Sequence, residues 1–213
     1  MKKLVAVNAS PRTNWNTAQL IRAAAQGAEE AGAEVEVIDL YKIENYQGCR
    51  SCFACKGEKF YGQCIFKDGL KPVLDSIREA DALVLGTPNY FGRPTAGFRA
   101  LYERLIFQYL TYRTAQPSCN ERPIPVLFIM TSNLDAEGYD NYGYTPMIEE
   151  YESTLEQFIG PVTTYICGNT LQVNDYSRYD WDYFDIPGKI KRHEEVFPSE
   201  LEEVKAIGAK LIG

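Results

Sequence analysis

Apolar residues along this chain fall into short runs of strand length, separated by stretches with helical spacing. Leu4-Val5-Ala6-Val7, Ala82-Leu83-Val84-Leu85 and Ile124 to Met130 are near-continuous apolar runs. That is the pattern of parallel strands buried on both faces. Val35 to Leu40 alternates at its start and predicts a strand nearer the sheet edge, and Val162 to Cys167 predicts a fifth strand. Between the first two strands, Leu20, Ile21, Ala24, Ala25 and Ala28 recur near the 3.6 period, with Gly32 placed as a C-terminal cap. Asp68 precedes a helix with Leu70, Val73, Leu74 and Ile77 inward, and Thr95 precedes one with Phe98, Leu101, Leu105 and Ile106 inward. Further helices are predicted from about Pro146 to Phe158 and from Leu201 to Ile212.

Strands alternating with helices make an α/β chain, a three-layer sandwich around a parallel sheet. The five-stranded flavodoxin-like order 2-1-3-4-5 sets strands one, three and four side by side, with the switch point between one and three. The rival six-stranded nucleotide order needs a strand that this chain lacks. At 213 residues the chain fits one domain over 1–213, carrying a cysteine-rich loop at 45–66 and an aromatic arm at about 175–198. The arm holds Tyr176, Tyr179, Trp181, Tyr183 and Phe184, too many large rings for comfortable disorder, and is expected to pack on a neighbouring subunit.

Composition narrows the class. The chain is 45% hydrophobic and 24% charged, enough apolar material for a real core. Net charge is -7 with no basic patch, which argues against nucleic acid or an anionic membrane as partner. No apolar run reaches the length of a membrane span, and the N-terminus does not read as a signal peptide, so a cytoplasmic location is expected. The sole histidine, His193, lies in a charged stretch and stands beside no nucleophile, so triad hydrolysis finds no support.

Three loops follow strands at what should be one end of the sheet. The first, Asn8 to Thr17, is polar and opens a helix, so free backbone N–H groups and the helix dipole would meet an anion there. Ser10, Asn14, Asn16 and Thr17 can add donors and Arg12 charge. It is neither a G-x-G-x-x-G fingerprint nor a Walker A loop. The plainer alternative is that Asn16 or Thr17 only caps the helix. The second loop, Gly86 to Gly92, offers Pro88, Asn89, Tyr90 and Phe91 to a flat ring, or else is an ordinary turn with its aromatics folded inward. The third begins Thr131-Ser132-Asn133.

Four of the six cysteines, Cys49, Cys52, Cys55 and Cys64, fall in one loop spaced C-x2-C-x2-C-x8-C. Four chemistries compete for them: an iron–sulfur cluster, a zinc ion, a redox dithiol, or free structural thiols. The loop follows the second strand and is expected at the same sheet end as the other three. Cys167 reads as a small core residue on its strand.

The stretch Asn8-Ala9-Ser10-Pro11-Arg12-Thr13-Asn14-Trp15-Asn16-Thr17 resembles the G-S-P-R-x-x-G-N-T phosphate loop of flavodoxin-like NAD(P)H-dependent FMN reductases. Thr87-Pro88-Asn89-Tyr90-Phe91-Gly92 resembles their S-P-x-Y-F-G flavin loop, and the cysteine run is similar to that of the iron–sulfur flavoproteins. The likeness covers the chain to about residue 135. Asn8 and Trp15 stand where the family has glycines, and the final cysteine gap is longer than in the iron–sulfur branch. The resemblance implies FMN phosphate contacts at Ser10, Arg12, Asn14, Asn16 and Thr17. It implies ring contacts at Pro88, Asn89, Tyr90, Phe91, Gly92, Thr131 and Ser132. It implies a [4Fe-4S] cluster on Cys49, Cys52, Cys55 and Cys64, NAD(P)H as co-substrate, and a homodimer or homotetramer. The expected function is an oxidoreductase passing electrons from NAD(P)H through FMN to a quinone, flavin or other small-molecule or protein acceptor. The alternative is an electron carrier with no substrate of its own.

Overall fold

The computed structural model describes residues 1–213. Its strands are β1 (Lys3–Asn8), β2 (Glu34–Asp39), β3 (Ala82–Tyr90), β4 (Arg93–Pro94), β5 (Val126–Thr131) and β6 (Val162–Cys167). All but β4 pair in parallel, in the order β2-β1-β3-β5-β6. With the two-residue β4 set aside, this is the expected flavodoxin-like order.

Side chains on successive strand residues point to opposite faces. Val5, Val7, Leu83, Leu85, Phe128 and Met130 therefore share one face of the sheet. Leu4, Ala6, Val84, Leu127 and Ile129 share the other, packed on α1 (Asn16–Glu30) and α6 (Phe197–Lys210). The first face is covered by α2 (Leu70–Glu79), α3 (Ala96–Tyr109) and α4 (Thr145–Phe158). These are the three expected layers. Gly32 ends α1 at φ 90°, and the Thr95 hydroxyl accepts from the Phe98 N–H at the start of α3, as the sequence predicts. No helix is long and apolar enough to cross a membrane.

Three segments differ from expectation. The closing helix starts at Phe197 rather than Leu201, because Pro198 suits a first helical turn that has no need of its N–H. The arm is half helical: α5 (Ile186–Glu195) begins at Asp185, whose carboxylate accepts from the Gly188 N–H at 3.1 Å. Only its aromatic part lacks regular structure apart from the short turn Tyr176–Arg178. The third is the stretch from Gly86, which is not a loop but a continuation of β3 to Tyr90. It reverses through Phe91 and Gly92, both in the left-handed region at φ 54° and 78°, and returns as β4. Two successive positive φ values make a type I′ hairpin turn, which favours glycine at its second place.

Between β2 and α2 the cysteine-rich segment runs down the outside of α3. A buried ion pair fixes it there. Arg104 (side chain 1% exposed) donates twice to Asp68 (7% exposed), at 2.6 and 2.8 Å. Asp68 also accepts from the N–H groups of Gln47 and Leu70, and Arg104 donates to the Phe66 carbonyl. One pair thus ties the start of the segment, its end and the start of α2 to the middle of α3. Lys56 donates to the Phe107 and Leu110 carbonyls and closes the far end of α3. Asp68→Ala strands a buried guanidinium and is expected to cost about 3–5 kcal/mol in denaturant unfolding, whereas Asp68→Leu with Arg104→Met recovers most of that loss. Equal destabilisation by the single and double variants would show that packing, not charge pairing, carries the stability.

Candidate functional site

Parallel strands send all their carboxyl ends the same way, and the three polar segments after β1, in β3 and after β5 meet there. They are stitched together by buried hydroxyls. Thr17 and Thr131 share a hydrogen bond of 2.7 Å between the first and third. Thr95 donates to the Ala9 carbonyl at 2.8 Å, and its N–H donates to Thr87 at 3.1 Å, joining the first and second. Gly86 allows α1 to come this close: a Cβ there would lie 2.6 Å from Ile21.

The first loop folds on itself. Ser10 is buried, its N–H donates to the Asn8 side chain at 3.1 Å, and its hydroxyl accepts from the Arg12 N–H at 3.2 Å. Asn16 and Thr17 do not cap α1. Asn16 donates to the Leu171 carbonyl at 2.8 Å, and Thr17 is taken by Thr131. Trp15, at the cap position, makes no side-chain cap either. The N-terminus of α1 therefore keeps unpaired backbone N–H groups and the positive end of its dipole. Arg12 lies over the Trp15 ring at 4.6 Å and donates to the Gln172 carbonyl, while the Trp15 indole donates to the Leu171 carbonyl at 2.9 Å. Asn14 is exposed at the loop's outer turn.

At the same edge of the sheet, lined by the second and third segments, opens a cavity of about 610 Å³. Asn89, Tyr90 and Phe91 of the hairpin form one wall, Ser132 to Asp135 another, and Tyr142, Tyr144, Phe184 and Lys189 close it. Its size and its mixture of rings and polar groups suit a small flat ligand. The Asn89 Nδ2 is buried with no hydrogen-bond partner, while its Oδ1 accepts from the Gly92 N–H at 2.8 Å. The ring of Phe91 stands fully in solvent at the hairpin tip. Pro88 pairs with Thr131 in the register between β3 and β5, and neither residue lines the cavity. A larger cavity, about 750 Å³, lies at the other end of the sheet under Ala80, Ile124 and Ile159, away from all three loops.

The four clustered cysteines also converge, on a separate narrow pocket walled by Phe53, Phe66 and Phe107. Cys55 is buried, Cys49 and Cys64 are partly so, and Cys52 is exposed. Burial pushes the Cys55 thiol up, against the pull of the nearby Lys56 ammonium. Ser51 and Phe53 sit at φ 51° and 56°, a costly conformation for side-chain-bearing residues. The Ser51 N–H points at the Cys49 sulfur, 3.4 Å away. Arg104 puts a cation in the wall. No three acidic, thiol or imidazole groups are gathered closely enough to share a single metal ion.

This pocket does not sit where the sequence places it. It lies against Arg104 to Gln108, in the carboxyl-terminal half of α3, whereas Thr95 at the start of that helix touches the first loop. A rise of 1.5 Å per residue separates the two by roughly 14–20 Å. The segment does leave β2 at the ligand end, but the Arg104–Asp68 pair draws it down the helix. Cys119 lies outside the pocket, and Cys167 is fully buried with its thiol donating to Glu200 at 3.3 Å. Sequence reasoning missed Lys189, Tyr142 and Tyr144 in the ring cavity.

A sequence model of the NADPH-dependent FMN reductases matches residues 2–137. Among curated relatives, an iron-sulfur flavoprotein of Archaeoglobus fulgidus is 38% identical over 104 residues, 48% of each chain. One from Methanocaldococcus jannaschii is 36% identical over 102 residues, 48% of this chain and 51% of the relative. The matches thus span about half the length of these relatives. Among solved structures, an NAD(P)H:quinone oxidoreductase from Methanothermobacter marburgensis superposes with a TM-score of 0.69, at 15% identity over 99% of this chain and 98% of that one. An FMN-dependent NADH-azoreductase from Bacillus anthracis superposes with a TM-score of 0.62, at 14% identity over all of both chains. Those likenesses carry the fold, and the matched residues contain two of the three loops whole and the start of the third: the chain belongs to the NADPH-dependent FMN reductase family.

Proposed function

We propose that the chain is an FMN-dependent oxidoreductase that takes electrons from NAD(P)H and delivers them to a small acceptor such as a quinone. The observation that carries this reading is the uncapped N-terminus of α1 at the same sheet edge as a ring-sized cavity. Bound FMN supplies the two-electron chemistry. The residues of the chain bind and orient it. Backbone N–H groups at the start of α1, with Ser10, Arg12 and Asn14, hold the phosphate, and Asn16 and Thr17 fix the loop from behind through Leu171 and Thr131. Asn89, Tyr90, Phe91 and Gly92 face the ring from the hairpin, and Ser132 from the third segment. The orphaned Asn89 amide offers the donor that a ring carbonyl or nitrogen would satisfy. Tyr90, Phe91, Tyr142 and Tyr183 leave large ring surface exposed at the mouth, which suits a flat acceptor or a second copy of the chain.

Cys49, Cys52, Cys55 and Cys64 line one pocket and are the donor set that an iron–sulfur cluster would take. A cluster asks each thiolate to hold a different iron, so the wide spacing that rules out one shared ion is no obstacle. The N–H aimed at Cys49 favours a thiolate there, and the aromatic walls limit the access of water to the sulfurs.

Two outcomes follow. Titrated with flavins, the apoprotein should bind FMN at least about tenfold more tightly than riboflavin, since a charge-assisted phosphate contact contributes roughly 1.5–3 kcal/mol. The loaded protein should then consume NAD(P)H only when a quinone or free flavin is supplied. Equal affinity for both flavins would remove the phosphate loop from the reading, and reduction without turnover would make the chain a carrier. Protein purified without oxygen should contain about four iron atoms per chain with acid-labile sulfide. Cys52→Ser should lose the iron and keep FMN. Flavin-replete anaerobic protein without stoichiometric iron would leave the thiols structural.

A further inference from the structure

One group in the ring cavity has no part in the scheme above. Lys189, on α5, is 4% exposed. Its ammonium donates to the Asn133 carbonyl at 3.1 Å, the Thr170 carbonyl at 3.4 Å and the side-chain oxygen of Asn169. All three acceptors are neutral. The charged groups around it are Asp135 on the segment after β5 and Asp185 and Arg192 on its own helix. Asp135 favours its charge from a distance, and Arg192 opposes it. The cavity wall adds the phenols of Tyr142, Tyr144 and Tyr183. Desolvation holds the ammonium down, to about 8. A buried cation supported only by neutral oxygens is costly, and its cost falls if an anion arrives beside it.

We propose that Lys189 is the counter-charge of the ring cavity, stabilising the anionic reduced form of the flavin over the neutral oxidised form and so raising its reduction potential. This rests on the cavity being the flavin site. Transfer of a hydride adds two electrons and one proton to a neutral ring and leaves one negative charge, while the donor departs as oxidised nicotinamide. No further proton is required. The three protons of Lys189 are already engaged, so it acts through its charge and not through a hydrogen bond to the ring. That charge is felt more strongly from a buried position than from the surface. The same three bonds keep the cation in place by tying α5 to the ends of β5 and β6.

The test compares Lys189→Gln, which removes the charge and keeps a donor, with Lys189→Arg, which keeps the charge. Affinities for oxidised FMN are read by titration, and the potential by dye equilibration of the FMN-loaded proteins. Lys189→Gln should bind oxidised FMN about as tightly as the native chain. It should hold the reduced form at least about tenfold less tightly, a fall of about 30 mV for a two-electron couple. Lys189→Arg should keep the native potential. If the glutamine variant loses both oxidation states equally, Lys189 is only a clamp and the proposal is wrong. If that variant does not fold, the native chain decides. Lys189 then gives up its proton in the oxidised state while the reduced state retains it. The potential should therefore steepen from about 30 to about 60 mV per pH unit above about pH 8. An unbroken slope between about pH 8 and pH 10 would overturn the proposal. Failure of FMN to bind the native chain at all would instead remove the flavin site, and the proposal with it.

Discussion

The parallel sheet sets the terms for everything else in this molecule. Because β1, β3, β5 and β6 all run the same way, their exits must share one edge, and helices must carry the chain back across both faces. That geometry brings Thr17 to Thr131 and Thr95 to Ala9, though these residues are far apart in the chain. Once the hydroxyls close, the start of α1 cannot be capped by its own side chains, since Asn16 and Thr17 are committed to tertiary bonds. The uncapped start of α1 is thus a consequence of sheet topology, not of a special loop sequence. The helix start is left uncapped with Asn8 and Trp15 standing where the family has glycines.

The cysteine-rich segment obeys a different constraint. It belongs to α3 and not to the sheet edge, and the Arg104–Asp68 pair decides this. A buried pair of this kind adds little stability over an apolar pair, but it tolerates only one register. It therefore fixes which turn of α3 the thiols face. The ring cavity and the cysteine pocket are built by independent means, one by strand direction and one by a single ion pair, about a helix length apart.

Much of this was legible in the sequence because burial on both faces leaves unbroken apolar runs. Leu4 to Val7 and Ala82 to Leu85 could be nothing but central strands, and Thr95 announced its helix by residue type. The hairpin was hidden because Phe91 occupies a backbone region that its side chain disfavours, and no local pattern signals such a cost. Arg104 falls on the inward stripe of α3 between Leu101 and Leu105, so its burial could be inferred, but its partner lies 36 positions away. Lys189 gave no sign at all. It sits on a largely polar helix and is buried by Asn133 and Thr170, which only the folded chain brings over it.

Trp15 carries a consequence of another sort. Its indole is one of only two in the chain, and it is held by the Leu171 carbonyl with the Arg12 guanidinium lying on its face. A phosphate bound at the start of α1, as proposed, would compete for that guanidinium and change the polarity at the indole. With Trp181 replaced by Phe, the emission of Trp15 would then report occupancy of the loop without any attached label. A position that glycine would have left optically silent has become the intrinsic fluorophore of the binding loop.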